Sequence, residues 1–121
     1  MLAVVLDDLE VRHQAFREKY GAQYSQIERC YNLAQFVHFV LSYPGSIDHI
    51  SLDHDLGDYE GGNVLFGNGM DAVRLLINLP ESFRPKTLNV HSHNYVCQER
   101  MIYTLTGNGF PEATVIHFTE D

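Results

Sequence analysis

The chain has 121 residues and a formal charge of −8, from sixteen acidic and eight basic side chains. That is enough chain for one domain with a single core, and too few Lys/Arg for the basic surface that grips a nucleic-acid duplex. No run reaches the ~20 apolar residues of a membrane span, so no membrane partner is expected.

Leu2 to Leu6 is short, apolar and partly β-branched, which predicts a buried strand. It meets Asp7-Asp8 without a basic leader, so the start reads as a strand and not as a signal peptide. Val11 to Tyr20 predicts a helix packed through Val11, Ala15 and Phe16 and ended by Gly21. Tyr24 to Cys30 reads as an edge strand, because Gln26, Glu28 and Arg29 interrupt it. Asn32 caps a helix from Leu33 to Ser42, with Leu33, Phe36, Val37, Val40 and Leu41 at helical spacing. Pro44-Gly45 breaks the chain before a central strand, Ile47 to Leu52. Gly57 is expected to turn the backbone sharply into a permissive loop containing Gly61-Gly62 and Gly67-Asn68-Gly69. A helix from Asp71 to Leu79, a strand from Thr87 to Val90, a helix from Tyr95 to Thr106 and a last strand from Thr114 to Phe118 follow. Cys30 and Cys97 form no CxxC pair, so reduced thiols and a cytoplasmic location are expected.

Strands alternating with helices predict a parallel sheet covered on both faces. The whole chain reads as one α/β domain, a flavodoxin-like three-layer sandwich with strand order 2-1-3-4-5. A helix after the last strand is missing from the pattern. One end of the sheet is then either thinly covered or covered by a second subunit, which leaves a homodimer open. In this order the loops bearing Asp7/Asp8, Asp53/Asp55 and His91/His93 share one rim.

Side chains two apart on an extended segment point the same way, so Asp53 and Asp55 are expected to converge with His54 opposed. His91 and His93 form the same kind of pair. Carboxylates with imidazoles suit Mn²⁺, Fe²⁺ or Zn²⁺, and a carboxylate-and-water shell suits Mg²⁺. The expected cofactor is a divalent ion, Mg or Mn first and Zn third, held among Asp7, Asp8, Asp53, Asp55 and His91. His13, His38, His49 and His117 lie inside predicted elements and read as structural. Ser92 and Asn94 precede a helix and can donate to a phosphate, with helix capping an equal reading for Asn94. Arg12 either reaches that phosphate or is a solvated helix residue. No GxxxxGK[ST], GxGxxG or GxSxG occurs, which leaves nucleotide folds and serine-hydrolase chemistry unsupported.

Asp7-Asp8 after the first strand and Asp53 after the third resemble the acidic pocket of response-regulator receiver domains. There the pair helps bind Mg²⁺ and the third aspartate accepts a phosphoryl group. The chain departs from that pattern at the fourth strand, where Ser92 stands between two histidines, and at the fifth, where Val115 to Thr119 has no lysine. The fuller set, Leu6-Asp7-Asp8, Ser51-Leu52-Asp53-His54-Asp55-Leu56-Gly57 and Val90-His91-Ser92-His93-Asn94, is similar to the receiver-like family proposed to process cyclic phosphates. The resemblance covers nearly the whole chain. It implies Asp7, Asp8 and Asp53 in the pocket, with Asp55, His54, His91 and His93 as added chemistry.

The expected function is a metal-dependent phosphoesterase acting on a cyclic phosphate, either a cyclic nucleotide or a 2′,3′-cyclic phosphate end. Its partner is then a small phosphorylated ligand or an RNA end. Asp53 serves the metal or, by an alternative covalent route, acts as nucleophile. His54 or His93 protonates the leaving oxygen, while Arg12, Ser92 and Asn94 hold the phosphate. Two other readings use the same rim: a non-catalytic module binding a cyclic nucleotide or a partner protein, and a degenerate receiver acting as a protein switch.

Overall fold

β1 (Leu2–Leu6) is buried at every position because strands flank it on both sides. β2 (Gln26–Cys30) pairs along one edge and β3 (His49–Leu52) along the other, with β4 (Thr87–Val90) and β5 (Thr114–Val115) beyond β3. In this computed structural model, which describes residues 1–56 and 67–117, all four pairings are parallel and the order is β2-β1-β3-β4-β5. The predicted architecture is the observed one.

Among the described residues four helices cover the sheet: α1 (Glu10–Tyr20), α2 (Leu33–Ser42), α3 (Gly69–Asn78) and α4 (Tyr95–Thr106). Val4, Leu6, Ile50, Leu52, Leu88 and Val90 share the main core with Phe36 and Val40 of α2, Ala72, Val73 and Leu76 of α3, and Met101 and Leu105 of α4. The opposite face is smaller, with Ala3 and Val5 packed on Phe16 of α1. No helix follows β5 among the described residues, and none of the described helices is long and apolar enough to cross a membrane.

Element ends differ from the sequence reading for local reasons. β2 begins at Gln26, not Tyr24, because Gly21–Gln23 continue as a 3₁₀ turn and the Tyr24 N–H donates to Gly21 O. α3 begins at Gly69, not Asp71. Asn68 accepts from the N–H groups of Met70 and Asp71, and Asp71 Oδ2 takes the Asn68 N–H, a capping box written inside a segment that reads as loop. β5 is two residues long, paired with β4 only at Asn89 and Val90. Gly57, Gly61-Gly62 and Phe118 lie outside the described residues.

Register positions the rim. Leu6 pairs with Leu52, and Leu52 with Val90, so the last residues of β1, β3 and β4 stand in one row. Asp53 N–H donates to Leu6 O and His91 N–H to Leu52 O, both at 2.9 Å, which carries the row one residue further, to Asp7, Asp53 and His91.

Candidate functional site

Asp7, Asp53 and His91 leave the three central strands side by side on the face covered by α1, whose Arg12 reaches both carboxylates. They are 0, 1 and 2% exposed. One ligand atom from each lies within 4.8 Å of the others. Opposite ligands of a six-coordinate Mg²⁺ stand about 4 Å apart, so a small contraction would let two carboxylates and an imidazole grip one divalent ion. The donor set fits a metal; it could bind one without rearranging the strands.

The electrostatics of the group call for a cation. Burial first, then the negative charge of Asp7, pushes the Asp53 carboxyl up to about 7, although Arg12 opposes the shift. Burial also raises Asp7, but the hydrogen bond and charge of His91, the Leu9 N–H at 2.9 Å and Arg12 outweigh it, leaving Asp7 below the usual carboxylate range. His91 Nε2 sits 2.8 Å from Asp7 Oδ2. Burial holds His91 below its ordinary value despite that neighbour.

Arg12 is the chain's own cation at this point. It projects from the first turn of α1, and its Nη1 is 3.3 Å from Asp53 Oδ2 and 3.5 Å from Asp7 Oδ2. Its Nε is buried without a hydrogen-bond partner. His13, one residue on, places Nε2 2.7 Å from Asp7 O and helps fix the loop after β1.

The other residues singled out in the sequence divide into two groups. Asp8 follows Asp7 by one residue and does not join the three-residue cluster; burial and the Asp7 charge raise its carboxyl. Asp55 is exposed and does not converge with Asp53, because the strand ends at Leu52 and period-two alternation no longer applies beyond it. Its Oδ1 instead lies 2.8 Å from His54 Nδ1, and its Oδ2 accepts from Asn94 Nδ2 at 3.3 Å. His93 lies beyond the end of β4 at Val90 and is half-buried, its ring 5.0 Å from that of His117. Ser92 is buried and its Oγ accepts the Asn94 N–H at 3.0 Å. Asn94 is the N-cap of α4, its Oδ1 accepting from Cys97 N–H.

Two features escaped the sequence reading. Gly69 is more than a flexible joint: a Cβ there would stand 2.0 Å from Asp53 O and 2.8 Å from His54 Cα. Its N–H donates to His54 O at 2.9 Å, so α3 starts directly against the rim. The second is a polar row, His49 and Ser51 on β3 beside Thr87 and Asn89 on β4, leading to His91. Alternating polar residues in strands buried on both faces were its visible signal, since such strands otherwise read as continuous apolar runs.

A cavity of about 510 Å³ lies at the other end of β4, lined by Arg84, Lys86, Thr87, Asn89 and Phe110 among others, away from the carboxylates. Its basic groups already have partners. Arg84 donates to Leu79 O and Ile77 O, and Lys86 pairs with Asp48, so the chemistry of the molecule remains at the rim.

Comparison with known proteins agrees with the fold. No curated protein matches the chain. A response regulator from Burkholderia pseudomallei, solved with a phosphorylated aspartic acid, a calcium ion and citrate, superposes with a TM-score of 0.66 at 13% identity. The match covers 94% of this chain and 58% of that one, so this chain spans little more than half its length. The non-phosphorylated HemR receiver domain from Leptospira biflexa gives a TM-score of 0.66 at 17% identity, covering 94% of this chain and 79% of that one. At such identities both show the receiver fold. The model of the cyclic-phosphate processing receiver domain matches residues 2–107, and the chain belongs to that family.

Proposed function

We propose that this domain is a metal-dependent phosphoesterase acting on a cyclic phosphate, either a cyclic nucleotide or a 2′,3′-cyclic phosphate end. The observation that carries the reading is the buried cluster of Asp7, Asp53 and His91 at one rim of the sheet. A divalent ion held by these three would supply Lewis-acid polarisation of a phosphoryl oxygen and lower the pKa of an attacking water. Mg or Mn suits the two carboxylates, and Zn suits the imidazole.

The chain's own residues do the rest. Asp53, 1% exposed and faced by Asp7 and Arg12, is placed better as a ligand than as a nucleophile open to substrate. Arg12 bridges the two carboxylates and carries the nearest positive charge for a non-bridging phosphate oxygen. His54 is oriented by Asp55: Nδ1–H donates to Oδ1, which leaves Nε2 to carry a proton to the leaving ribose oxygen. His93, also at the rim, is the alternative proton carrier. The Ser92 hydroxyl is as buried as Asp53 and accepts from Asn94 N–H, so it serves the turn into α4 and not the phosphate.

One observation favours a second reading, a non-catalytic module that binds a cyclic nucleotide or a partner protein through this rim. Both polar ends of Asn94 are engaged, by Cys97 N–H and by Asp55, so a predicted substrate contact serves the scaffold. Product release separates the two. Chelator-stripped protein is assayed on cyclic mono-, di- and oligonucleotides and 2′,3′-cyclic RNA ends with Mg²⁺, Mn²⁺ or Zn²⁺ restored. Metal-dependent turnover that is lost in Asp53→Asn supports the phosphoesterase. Folded protein with affinity and no turnover supports the binding module.

A further inference from the structure

The polar row behind the rim is a connected chain. His91 Nδ1 lies 2.7 Å from Ser51 Oγ, and Ser51 Oγ–H donates to Asn89 Oδ1 at 2.5 Å. Asn89 Nδ2 is 2.9 Å from His49 Nε2, His49 Nδ1 is 2.7 Å from Thr87 Oγ1, and Thr87 O–H donates to Asp48 O at 3.2 Å. His49, Ser51, Asn89 and His91 are all buried. Register explains the continuity. His49 stands opposite Thr87 and Ser51 opposite Asn89, so successive cross-strand pairs on one face hand the chain along the sheet.

A row of this kind is costly where strands are covered on both faces, because a buried polar group without a partner loses about 1–3 kcal/mol. Packing alone would favour Val or Ile here, as on the other face of the same strands. The row has one end with chemical consequence: it terminates on the imidazole whose other nitrogen faces the Asp7–Asp53 carboxylates. Resting on the metal-site reading above, we propose that Ser51, Asn89 and His49 are positioning residues that hold the His91 imidazole by its Nδ1–H, leaving Nε2 as the ligand atom.

With a divalent ion in place of the Nε2 proton that Asp7 otherwise accepts, the direction of the chain would be set throughout. His91 Nδ1–H donates to Ser51, Ser51 O–H to Asn89 Oδ1, Asn89 N–H to His49 Nε2, His49 Nδ1–H to Thr87, and Thr87 O–H to the Asp48 carbonyl. Each link has one donor and one acceptor, and the last acceptor is a backbone oxygen whose role cannot reverse. A ligating histidine whose second ring nitrogen is held in this way has its ring orientation and tautomer fixed, and loss of such a partner costs about 10–100-fold in metal affinity. The assignment also predicts the tautomer of His49, two links from Ser51 and outside the metal group. Burial holds its pKa down at about 4, so it is neutral at pH 7 and its tautomer can be read directly.

The test combines calorimetric Mn²⁺ and Zn²⁺ affinities of the full chain with ¹⁵N NMR of its histidines. Wild type is expected to bind, Ser51→Ala to bind about 10–100-fold more weakly, and Ser51→Thr, which keeps the hydroxyl, to recover most of the loss. In metal-loaded wild type His49 is expected as the Nδ1–H tautomer, a reading that needs no variant to fold. Equal affinity in folded Ser51→Ala, or His49 in the Nε2–H form, overturns the positioning chain while the metal site stands. Absence of any divalent binding by wild type overturns the metal site, and the chain's role with it.

Discussion

Arg12 Nη1 lies 3.3 Å from Asp53 Oδ2 and 3.5 Å from Asp7 Oδ2, so one guanidinium faces both buried carboxylates. A helix residue six positions after the end of β1 thus supplies the positive charge that the clustered acids require without metal. Replacing it with an apolar residue leaves those acids uncompensated. Arg12→Leu is expected to lose about 1–3 kcal/mol of stability in chelator. A saturating divalent ion should then raise its melting temperature more than it raises that of wild type. Calorimetric melts with and without Mn²⁺ check this; equal metal-induced shifts would contradict it.

Asp53 gives the protein a pH dependence of definite sign. Its folded-state pKa of about 7 stands above the ordinary carboxylate value of 3.8, so the folded protein retains a proton that the unfolded chain releases. Its contribution to stability is complete below pH ~4 and is lost as pH rises through ~7, by up to about 4 kcal/mol. Asp53→Asn removes this loss. In chelator the variant should therefore become more stable relative to wild type as pH rises from 4 to 8, as read from urea unfolding at each pH. A difference that stays flat would show that the carboxyl is already ionised at pH 4. Divalent metal should close the gap by stabilising wild type alone.

Gly69 is expected to tolerate no side chain. The Cβ of Gly69→Ala would fall 2.0 Å from the Asp53 carbonyl, and that atom is backbone, so the start of α3 must move. A cost of about 1–3 kcal/mol, typical of overpacking, is expected in urea unfolding. Metal affinity should fall as well, since the shifted backbone carries Asp53. Unchanged stability would mean that α3 slides freely over the rim.

Asn94 separates scaffold from chemistry. Asn94→Ala removes the cap of α4 and should cost about 1 kcal/mol, whereas Asn94→Ser keeps a capping oxygen and should not. Both lose the amide that holds Asp55. If Asp55 orients His54 for proton transfer, turnover on a cyclic phosphate falls in both variants, with metal affinity intact. Turnover that follows stability alone, low in Ala and normal in Ser, would assign Asn94 to the cap only.

Much of this was legible in the sequence because it rests on local pattern. Strand–helix alternation, Asn32 and Asn94 before helices, and Leu2–Leu6 running into Asp7 are properties of short segments, and they led to the strand order and to the shared rim. The family resemblance rested on the same segments, and the match over residues 2–107 agrees with it.

Which side chains meet was decided only by the tertiary structure. Period-two alternation predicts that Asp53 pairs with Asp55 and His91 with His93, but alternation holds only while a neighbouring strand keeps the chain extended. β3 stops one residue before Asp53, so Asp55 parts from it and turns to His54 and Asn94. Parallel register then chose the companions: Asp7, Asp53 and His91 come from positions up to 84 residues apart and stand in one row because Leu6, Leu52 and Val90 do. Local sequence determined which residues arrive at the end of each strand, because propensity and periodicity act over a few residues. Register, helix placement and burial determined which of them touch, because those are set by packing between segments far apart in the chain.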